Sequence, residues 1–233
     1  MEHETEVSKH YLGDKGKEYL GARQDNAYLP GYYYDLQYFL PYLKESDVVL
    51  DFGCGNGGML RLLSEKVACA EGLEPNPAAR EVAGTTGCRL YAAIDELPGE
   101  PRYDVIVTNH VLEHIRDVCS TLEALHSVLK PGGLLVAKLP LDDWRWSYQR
   151  CFDANDTDHH LYTWTPRLFA NVLYESGYDV REVRVITSCW HTRLFPLLRF
   201  GFRPLMPLIH WAFAVVKKRR QLLAVGISTS SAS

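Results

Sequence analysis

The chain has 233 residues, of which 46% are hydrophobic and 12% aromatic. That length and composition predict one large globular domain with a substantial core, and they exclude a disordered or collagen-like chain. The formal net charge of −4 argues against a general nucleic-acid binder. The charge is unevenly placed, because no Asp or Glu follows Glu182 whereas eight Lys or Arg do. Such a basic end predicts a surface that contacts a partner.

The N-terminal residues and the cysteines indicate a cellular compartment. The first residues are polar and acidic, so the sequence predicts no signal peptide. The six cysteines are scattered without CxxC spacing, which is typical of reduced thiols in a cytosolic protein and predicts no zinc site. A calcium loop is also excluded, since Asp158 stands where such a loop requires glycine. We therefore expect a cytoplasmic protein with no metal site.

The order of the predicted elements is typical of an α/β protein. Two N-terminal helices are predicted, over residues 11–23 and 31–43. From residue 48 onward, short β-branched runs alternate with helical patterns, as in a parallel sheet with crossover helices. The predicted strands cover residues 48–52, 68–73, 88–92, 103–108, 134–139, 179–187 and 221–227, the last two as an antiparallel pair. Further helices are predicted over residues 57–66, from the cap Asn76 onward, over residues 117–129, and from the cap Thr165 to residue 176.

A glycine-rich turn follows the first predicted strand. That strand ends at Asp51, and Gly53, Gly55 and Gly57 then precede a helix. Glycine lets the backbone turn tightly and approach a ligand, while the free N–H groups of a helix start attract an anionic group. Glu74 lies 21 residues after Gly53, where an acid binds ribose hydroxyls in doubly wound nucleotide folds. Together these features predict a ligand that contains a nucleoside.

Two ligands compete for this turn, NAD and S-adenosylmethionine (SAM). Gly58 lies three residues after Gly55, so the glycine spacing alone is compatible with a dinucleotide. Asp51 argues against NAD, because a carboxylate there would face a pyrophosphate, whereas it suits the ammonium and sulfonium groups of SAM. The sequence therefore favours SAM as the cofactor.

Five motifs occur in one order along the chain: Leu50-Asp-Phe-Gly-Cys-Gly-Asn-Gly, Glu74-Pro, Tyr103-Asp-Val-Ile-Val, Val111-Leu-Glu-His and Leu129-Lys-Pro-Gly-Gly-Leu-Leu. Together they closely resemble the class I SAM-dependent methyltransferases, over residues 48–187. The resemblance implies SAM as cofactor and a Rossmann-like seven-stranded sheet of order 3-2-1-4-5-7-6, with strand 7 antiparallel. N-terminal helices and a helical insertion before the last strand complete the expected fold.

The resemblance also implies a cofactor site. Its expected members are Asp51, Gly53, Cys54, Gly55, Asn56, Glu74, Pro75, Asp95, Asn109 and His110. Among them, Asp51 and the glycines belong around the methionine moiety, and Glu74 belongs on the ribose. Asp95 is expected near the adenine amine and Asn109 beside the methionine end.

Histidine is the natural base for an oxygen nucleophile near neutral pH. The catalytic candidates are His110, after the fourth predicted strand, and His159 and His160, after the fifth. The alternative for each is a packing or solvated loop histidine, and His114 and Glu113 are expected to be structural. The run from His160 to Pro166 resembles the H-x-x-x-F-[ST]-P element of a large bacterial methyltransferase subgroup, with Trp in place of Phe.

The predicted organisation is an N-terminal helical cap, residues 1–45, and a SAM-binding domain, residues 46–233. Tyr32, Tyr33 and Tyr34 of the cap either line the SAM pocket or simply pack. Residues 142–158, long, aromatic and polar, are predicted to form a loop that covers the acceptor.

Residues 190–220 are predicted to form an apolar and basic helical insertion. Prolines and arginines within residues 194–216 argue against a transmembrane helix, and Lys217-Lys-Arg-Arg220 follows directly. An apolar stretch beside a basic cluster is typical of an interfacial membrane anchor. The expectation is a peripheral contact of residues 194–220 with the inner face of a membrane, and the alternatives are packing on the protein's own core or a homodimer interface.

The predicted function is SAM-dependent methyl transfer to an oxygen of a sugar, a lipid-linked glycan or a small metabolite. The alternatives are a SAM-fold protein that binds a partner without catalysis and an NAD-linked enzyme. Nucleic acid is not expected as acceptor. The sequence Thr108-Asn-His-Val lacks the Asn/Asp-Pro-Pro-aromatic element of amino-methylating nucleic-acid enzymes, and the acidic body would repel a nucleic-acid backbone.

Overall fold

The computed structural model describes residues 8, 11, 16, 29–141, 151–153, 156, 158–200 and 203–229. Apart from Tyr11 and Gly16, the predicted helix over residues 11–23 lies outside the described residues. Most of the predicted acceptor loop over residues 142–158 lies outside them as well.

The strands form one seven-stranded sheet of order β3-β2-β1-β4-β5-β7-β6. They are β1 (Val48–Phe52), β2 (Cys69–Leu73), β3 (Arg89–Tyr91), β4 (Tyr103–Asn109), β5 (Leu129–Pro140), β6 (Tyr178–Ile186) and β7 (Gln221–Ser228). Strand β7 runs antiparallel to β5 and β6, and the other neighbours pair in parallel. The predicted sheet order and the antiparallel seventh strand are confirmed.

Helices flank the sheet and begin where caps were predicted. In the described part of the chain the α-helices are α1 (Leu29–Leu36), α2 (Gly58–Ser64), α3 (Pro77–Ala83), α4 (Val118–Val128), α5 (Pro166–Glu175) and α6 (Met206–Val216). The Asn76 side chain accepts hydrogen bonds from the N–H groups of Ala78 and Ala79. The Thr165 hydroxyl likewise accepts one from the N–H of Leu168. Each cap satisfies N–H groups that have no partner within their own helix.

Strand β5 begins earlier than predicted, at Leu129 rather than at residue 134. Leu129 pairs with Tyr103, and the ladder resumes where Leu134 pairs with Val105. The residues between them, predicted as a turn, form an irregularity within the strand in which Gly132 has a φ of 78°. Residues 130–133 of β5 form a bulge opposite Asp104, and the pairing with β4 continues on both sides of it.

The helix predicted over residues 31–43 is interrupted. Helix α1 ends at Leu36, and a separate 3-10 turn follows at Leu40–Tyr42. Pro41 lies inside that turn, and proline donates no backbone hydrogen bond and disfavours helical backbone in the residue before it. One continuous helix over this stretch is therefore wrong.

Apolar side chains cover both faces of the sheet. Leu122 of α4 and Phe169 of α5 belong to the core on one face, whereas Leu36 of α1 and Leu60 of α2 belong to the core on the other. Helix α1 thus shares a core with the sheet. The predicted division of the chain at residue 45 stays a prediction.

The chain forms an additional helical segment between β6 and β7. The 3-10 segments Thr192–Phe200 and Arg203–Leu205 lead into α6. This segment, called the insertion below, confirms the predicted helical insertion before the last strand.

The strand order leaves a crevice between β1 and β4. The chain winds from β1 to β2 in one direction across the sheet and from β4 to β5 in the other. Loops that leave the carboxyl ends of β1 and β4 therefore diverge, and ligands of open α/β sheets bind in the gap. Asp51 and Asn109 lie at these two strand ends.

Candidate active site

A cavity of about 940 Å³ lies at this crevice. Its walls come from the turn after β1, the end of β2, the segment after β4, the end of β5 and the insertion. Ligand cavities span about 300–1,000 Å³, so this one lies near the upper end of the range. It has room for a cofactor and an acceptor together.

The turn after β1 is shaped by glycine. Gly53 and Gly57 have φ values of 78° and 80°, in the left-handed region that side chains strain to adopt. A Cβ at Gly53 would lie 2.4 Å from a methyl of Val111. Because Gly53 has no side chain, the turn after β1 can pass close to Val111 in the segment after β4.

Two buried carboxylates line the cavity beside this turn. Oε2 of Glu74 accepts a hydrogen bond from the Gly55 N–H at 2.9 Å, and Oε1 accepts one from the Asn76 N–H at 2.8 Å. Oδ2 of Asp51 is buried and has no hydrogen-bond partner among the described residues. Burial and the charge of Glu74 raise the pKa of Asp51 to about 7. The pair therefore favours a ligand that brings positive charge and hydroxyl groups.

A buried ion pair joins four elements behind the cavity. Nζ of Lys138 on β5 lies 2.8 Å from Oδ1 of Asp35 on α1. Asn109 at the end of β4 and the Trp190 indole before the insertion both donate to Oδ2 of the same carboxylate, at 3.3 and 3.0 Å. Burial opposes the ionisation of Asp35, but the neighbouring Lys138 ammonium outweighs it and lowers the pKa of that carboxyl.

Glu113 is fully buried beside histidines. Its Oε1 lies 3.5 Å from Nδ1 of His110 and 3.8 Å from Nε2 of His114, and His160 also lies close. Burial opposes the ionisation of Glu113, but the contact with His110 outweighs it and lowers the pKa of that carboxyl. Burial lowers the pKa of His114 to about 4, so that ring is neutral near pH 7.

His110 is held in an uncommon backbone conformation. Its φ is 58°, and its N–H donates a 2.9 Å hydrogen bond to the carbonyl of Lys138. Its side chain is 34% exposed and lines the cavity. Non-glycine residues in the left-handed region cluster at functional sites, where the surroundings impose the conformation. His110 has the cavity on one side and the Glu113 carboxylate on the other.

The cavity brings together most of the residues that the sequence singled out. Those that line it are Asp51, Gly53, Cys54, Gly55, Asn56, Glu74, Pro75, Asn109, His110 and His160. Asp95 does not, because it lies exposed in the 3-10 turn Ile94–Glu96. His159 does not either: its φ is 44°, and its N–H donates to Asp156. The contact of Asp95 with adenine and a catalytic role for His159 stay predictions.

Sequence reasoning missed several residues of the site. Asp35 and Trp190 line the cavity, and the predicted structural acid Glu113 lines it too. Tyr11 also lines it: its carbonyl accepts a hydrogen bond from the Asn76 side chain, and its hydroxyl donates to the carbonyl of Asp158. Asp35, Trp190 and Tyr11 lie in no short motif, because their partners are far away in sequence. Glu113 belongs to the Val111-Leu-Glu-His motif, where it is predicted to be structural.

The tyrosines of the predicted cap divide between the two expected roles. Tyr32 lines the cavity and packs on Gly58, where a Cβ would lie 2.3 Å from its ring. Tyr34 is buried 4.8 Å from the ring of His210, whereas Tyr33 is exposed.

Within the described residues, no helix is both long and apolar enough to cross a bilayer.

The sheet order, the glycine turn and the acid at the end of β2 define a class I SAM-dependent methyltransferase. The family model described as a methyltransferase domain matches residues 28–183. The chain therefore belongs to this methyltransferase domain family, for which SAM is the cofactor.

Curated relatives match part of this region. The chain is 31% identical over 96 residues to a ubiquinone biosynthesis O-methyltransferase of Pseudomonas aeruginosa, which covers 36% of this chain and 40% of the relative. It is 39% identical over 98 residues to the enzyme of that name from Ruegeria pomeroyi, covering 38% of this chain and 39% of the relative. The chain thus spans about two fifths of the length of these relatives.

Solved structures share the fold. One is a chain from the complex of the Haloferax volcanii Trm112 methyltransferase activator with a methyltransferase, with a TM-score of 0.67 at 18% identity over 93% of this chain and 98% of that one. Another is Haemonchus contortus phosphoethanolamine N-methyltransferase 2 with SAM, with a TM-score of 0.61 at 15% identity over 84% of this chain and 52% of that one. At these identities the likeness concerns the fold alone.

The raised pKa of Asp51 predicts pH-dependent SAM binding. A cationic ligand requires the ionised carboxylate, of which about half is present at pH 7 and about a tenth at pH 6. The SAM dissociation constant, measured by calorimetry, should therefore rise about fivefold from pH 7 to pH 6.

The Asp51→Asn variant is the control. It should bind SAM more weakly, with little change between the two pH values. Without ligand it should melt at a higher temperature than the wild type near pH 7, because a folded-state pKa above the unfolded value means that stability is lost as pH rises towards 7. An equal pH dependence in the variant would contradict the assignment.

The buried pair predicts a large stability loss in Lys138→Met. An unpaired Asp35 carboxylate would remain buried, which should cost about 3–5 kcal/mol of unfolding free energy in urea titrations. Lys130→Met, which breaks the exposed pair with Asp104, should cost less than about 1 kcal/mol. The double variant Lys138→Met/Asp35→Asn should recover much of the lost unfolding free energy. Similar losses in Lys138→Met and Lys130→Met would refute the role of burial.

Proposed function

We propose that this protein transfers the methyl group of SAM to an oxygen atom of an acceptor bound beside His110. The acceptor classes we favour are a sugar, a lipid-linked glycan or a small metabolite. The observation that carries the proposal is the exposed edge of His110 in the cavity with the buried Glu113 behind it. The names of the curated relatives, which are O-methyltransferases, support oxygen as the acceptor atom.

The residues beside the glycine turn fit SAM. The unpartnered buried oxygen of Asp51 suits a cationic group, and the Glu74 carboxylate, fixed by two backbone N–H groups, suits ribose hydroxyls. The close approach of Gly53 to Val111 leaves no room for a side chain where the turn faces the cavity. Bound SAM supplies a methyl group already activated on a sulfonium.

His110 is suited to take the proton from the acceptor hydroxyl. Glu113 lies on the Nδ1 side of the ring, which favours the tautomer with hydrogen on Nδ1 and leaves Nε2 as the base. Nε2 would take the proton of the acceptor hydroxyl, while bound SAM would supply the methyl group to the acceptor oxygen, its carbon–sulfur bond breaking to leave S-adenosylhomocysteine. The Glu113 carboxylate then stabilises the imidazolium. His160, on the same cavity wall, is a second candidate for contact with the acceptor.

The His110→Asn variant tests the base. Asparagine tolerates the left-handed backbone, so the fold and the SAM affinity should be retained. Transfer from methyl-labelled SAM to acceptors in a cell lysate should fall about a hundredfold or more. Glu113→Gln should give a smaller loss, because the base remains but loses its orienting charge.

His160→Asn tests the second candidate histidine on the same wall, and its loss of transfer is compared with that of His110→Asn. A His110→Asn variant with more than a tenth of wild-type transfer would contradict the assignment. Activity abolished by EDTA and restored by a divalent ion would instead assign Glu113, His114 and His160, whose ligand atoms lie within 4.8 Å of one another, to a metal. SAM binding without any transfer would favour a SAM-fold protein that binds a partner without catalysis. A melting temperature raised by NADH rather than by SAM would favour an NAD-linked enzyme.

The insertion supports a second part of the proposal, a peripheral contact with an anionic membrane surface. Five large apolar side chains are exposed along and beside α6: Leu205, Leu208, Trp211, Val215 and Val216. The basic run from Lys217 to Arg220, also exposed, follows directly. An 11-residue helix spans about 16 Å, too short to cross a bilayer but long enough to lie in its interface. The adjacent positive charge favours anionic lipid over a second copy of this basic surface.

Vesicle binding tests this contact. Leu208→Ser/Trp211→Ser should weaken binding to phosphatidylglycerol vesicles at least about tenfold, because less apolar area enters the interface. Leu168→Ser/Tyr174→Ser removes two exposed apolar side chains from α5 and should leave binding unchanged. Equal binding to neutral and anionic vesicles would contradict the proposal, and a wild-type dimer that only the α6 variant dissociates would favour the homodimer.

A further inference from the structure

The charged residues that line the cavity are segregated along the chain. Among the described lining residues, every Asp and Glu precedes residue 159, whereas every Lys and Arg follows residue 192. The cations of the lining are Arg193, Lys217, Arg219 and Arg220, all from the insertion and the turn that leads to β7. We call them the basic end. All the described cations that line the cavity thus come from one stretch of the chain, residues 193–220.

The backbone fixes the basic end in place. The Lys218 N–H donates to the Val215 carbonyl and the Arg219 N–H to the Ala214 carbonyl, at 3.1 and 2.8 Å. Lys218 itself has a φ of 53°. This pairing around a left-handed residue is the Schellman ending of a helix, which sets the direction of the following chain. Lys217 and Arg219 line the cavity as a result, while Lys218 between them does not.

The basic end calls for an anion of more than one charge. Four cations of the basic end line the cavity. A single carboxylate would neutralise one of these charges, whereas a phosphate or diphosphate offers several oxygens and greater charge. Guanidinium groups match phosphate oxygens two at a time, and three of the four cations are arginines.

We propose that the acceptor carries a phosphate or diphosphate group, which binds at the basic end. This inference rests on the proposed methyl transfer and names the acceptor class. Anchoring the anionic group at the insertion holds the rest of the acceptor across the cavity, where its hydroxyl reaches His110. Apolar side chains of the insertion, such as Phe213, line the same region and suit an amphiphilic acceptor.

Binding of inorganic pyrophosphate tests the basic end without knowledge of the acceptor. The full chain, saturated with S-adenosylhomocysteine, is titrated by calorimetry at constant ionic strength. Lys217→Ala/Arg220→Ala should weaken pyrophosphate binding about tenfold, because two charge-assisted contacts are lost. Lys218→Ala removes an adjacent charge outside the cavity and should stay within about twofold of wild type. No measurable pyrophosphate binding, or an equal loss in Lys218→Ala, would overturn the proposal, since surface attraction alone would explain the latter.

A transfer assay separates the sources of the phosphate. Methyl-labelled SAM is incubated with the protein and lysate, and the products are extracted into organic and aqueous phases. Organic label that pyrophosphate suppresses indicates a lipid-linked phosphate, and suppressed aqueous label indicates a soluble phosphate ester. Label that saturating pyrophosphate does not suppress would overturn the inference and leave the proposed methyl transfer intact. Pyrophosphate binding with SAM bound but no transfer would instead contradict the methyl transfer.

Discussion

A buried ammonium group holds the walls of the cavity together. Lys138 lies in the middle of the protein, and removing its charge and that of Asp35 from water costs several kcal/mol per ion. The attraction between the two offsets this cost only when further hydrogen bonds complete the pair, and Asn109 and Trp190 supply them. The Asp35 carboxylate therefore ties α1, β4, β5 and Trp190, which precedes the insertion, to one another. The left-handed backbone of His110, bonded to the Lys138 carbonyl, is set by the same residue.

Two other buried acids of the cavity lining have pKa values shifted in opposite directions. Among the described residues no cation offsets the burial of Asp51, so its charged form is costly until a ligand supplies positive charge. Glu113 is buried just as deeply, but the neighbouring His110 favours its ionised form. The ionised form of Asp51 thus depends on a ligand for its stabilisation, whereas that of Glu113 is stabilised by residues of the chain. That difference separates a cofactor side of the cavity from a side suited to moving a proton.

Local signals predicted the glycine turn and the helix caps, because each of these depends on residues close together in sequence. The sheet order was implied by the resemblance to class I SAM-dependent methyltransferases, since strand pairing joins residues far apart in sequence. Partners far apart carry no such signal: Asp35 and Lys138 are separated by 103 residues. The sequence predicts a structural role for Glu113, because its full burial beside His110 is set by the tertiary fold and cannot be predicted from the motif. Asp95 failed to reach the cavity lining because the turn after β3 leaves it in solvent. The early start of β5 depends on pairing with β4, which the Lys-Pro-Gly-Gly sequence does not reveal.

The uneven placement of charge along the chain affects how the protein is oriented before it contacts an anionic surface. All 29 acidic residues lie at or before Glu182, and the chain beyond is purely cationic. The field of an anionic surface therefore attracts the cations of the insertion and of the basic run after it, some of which line the cavity, and repels the acidic residues. Salt shortens the reach of this field to about 10 Å at 0.1 M, so ionic strength changes how often encounters are correctly oriented. The buried carboxylates of the cavity, such as Asp51 and Glu113, are far less sensitive to ionic strength.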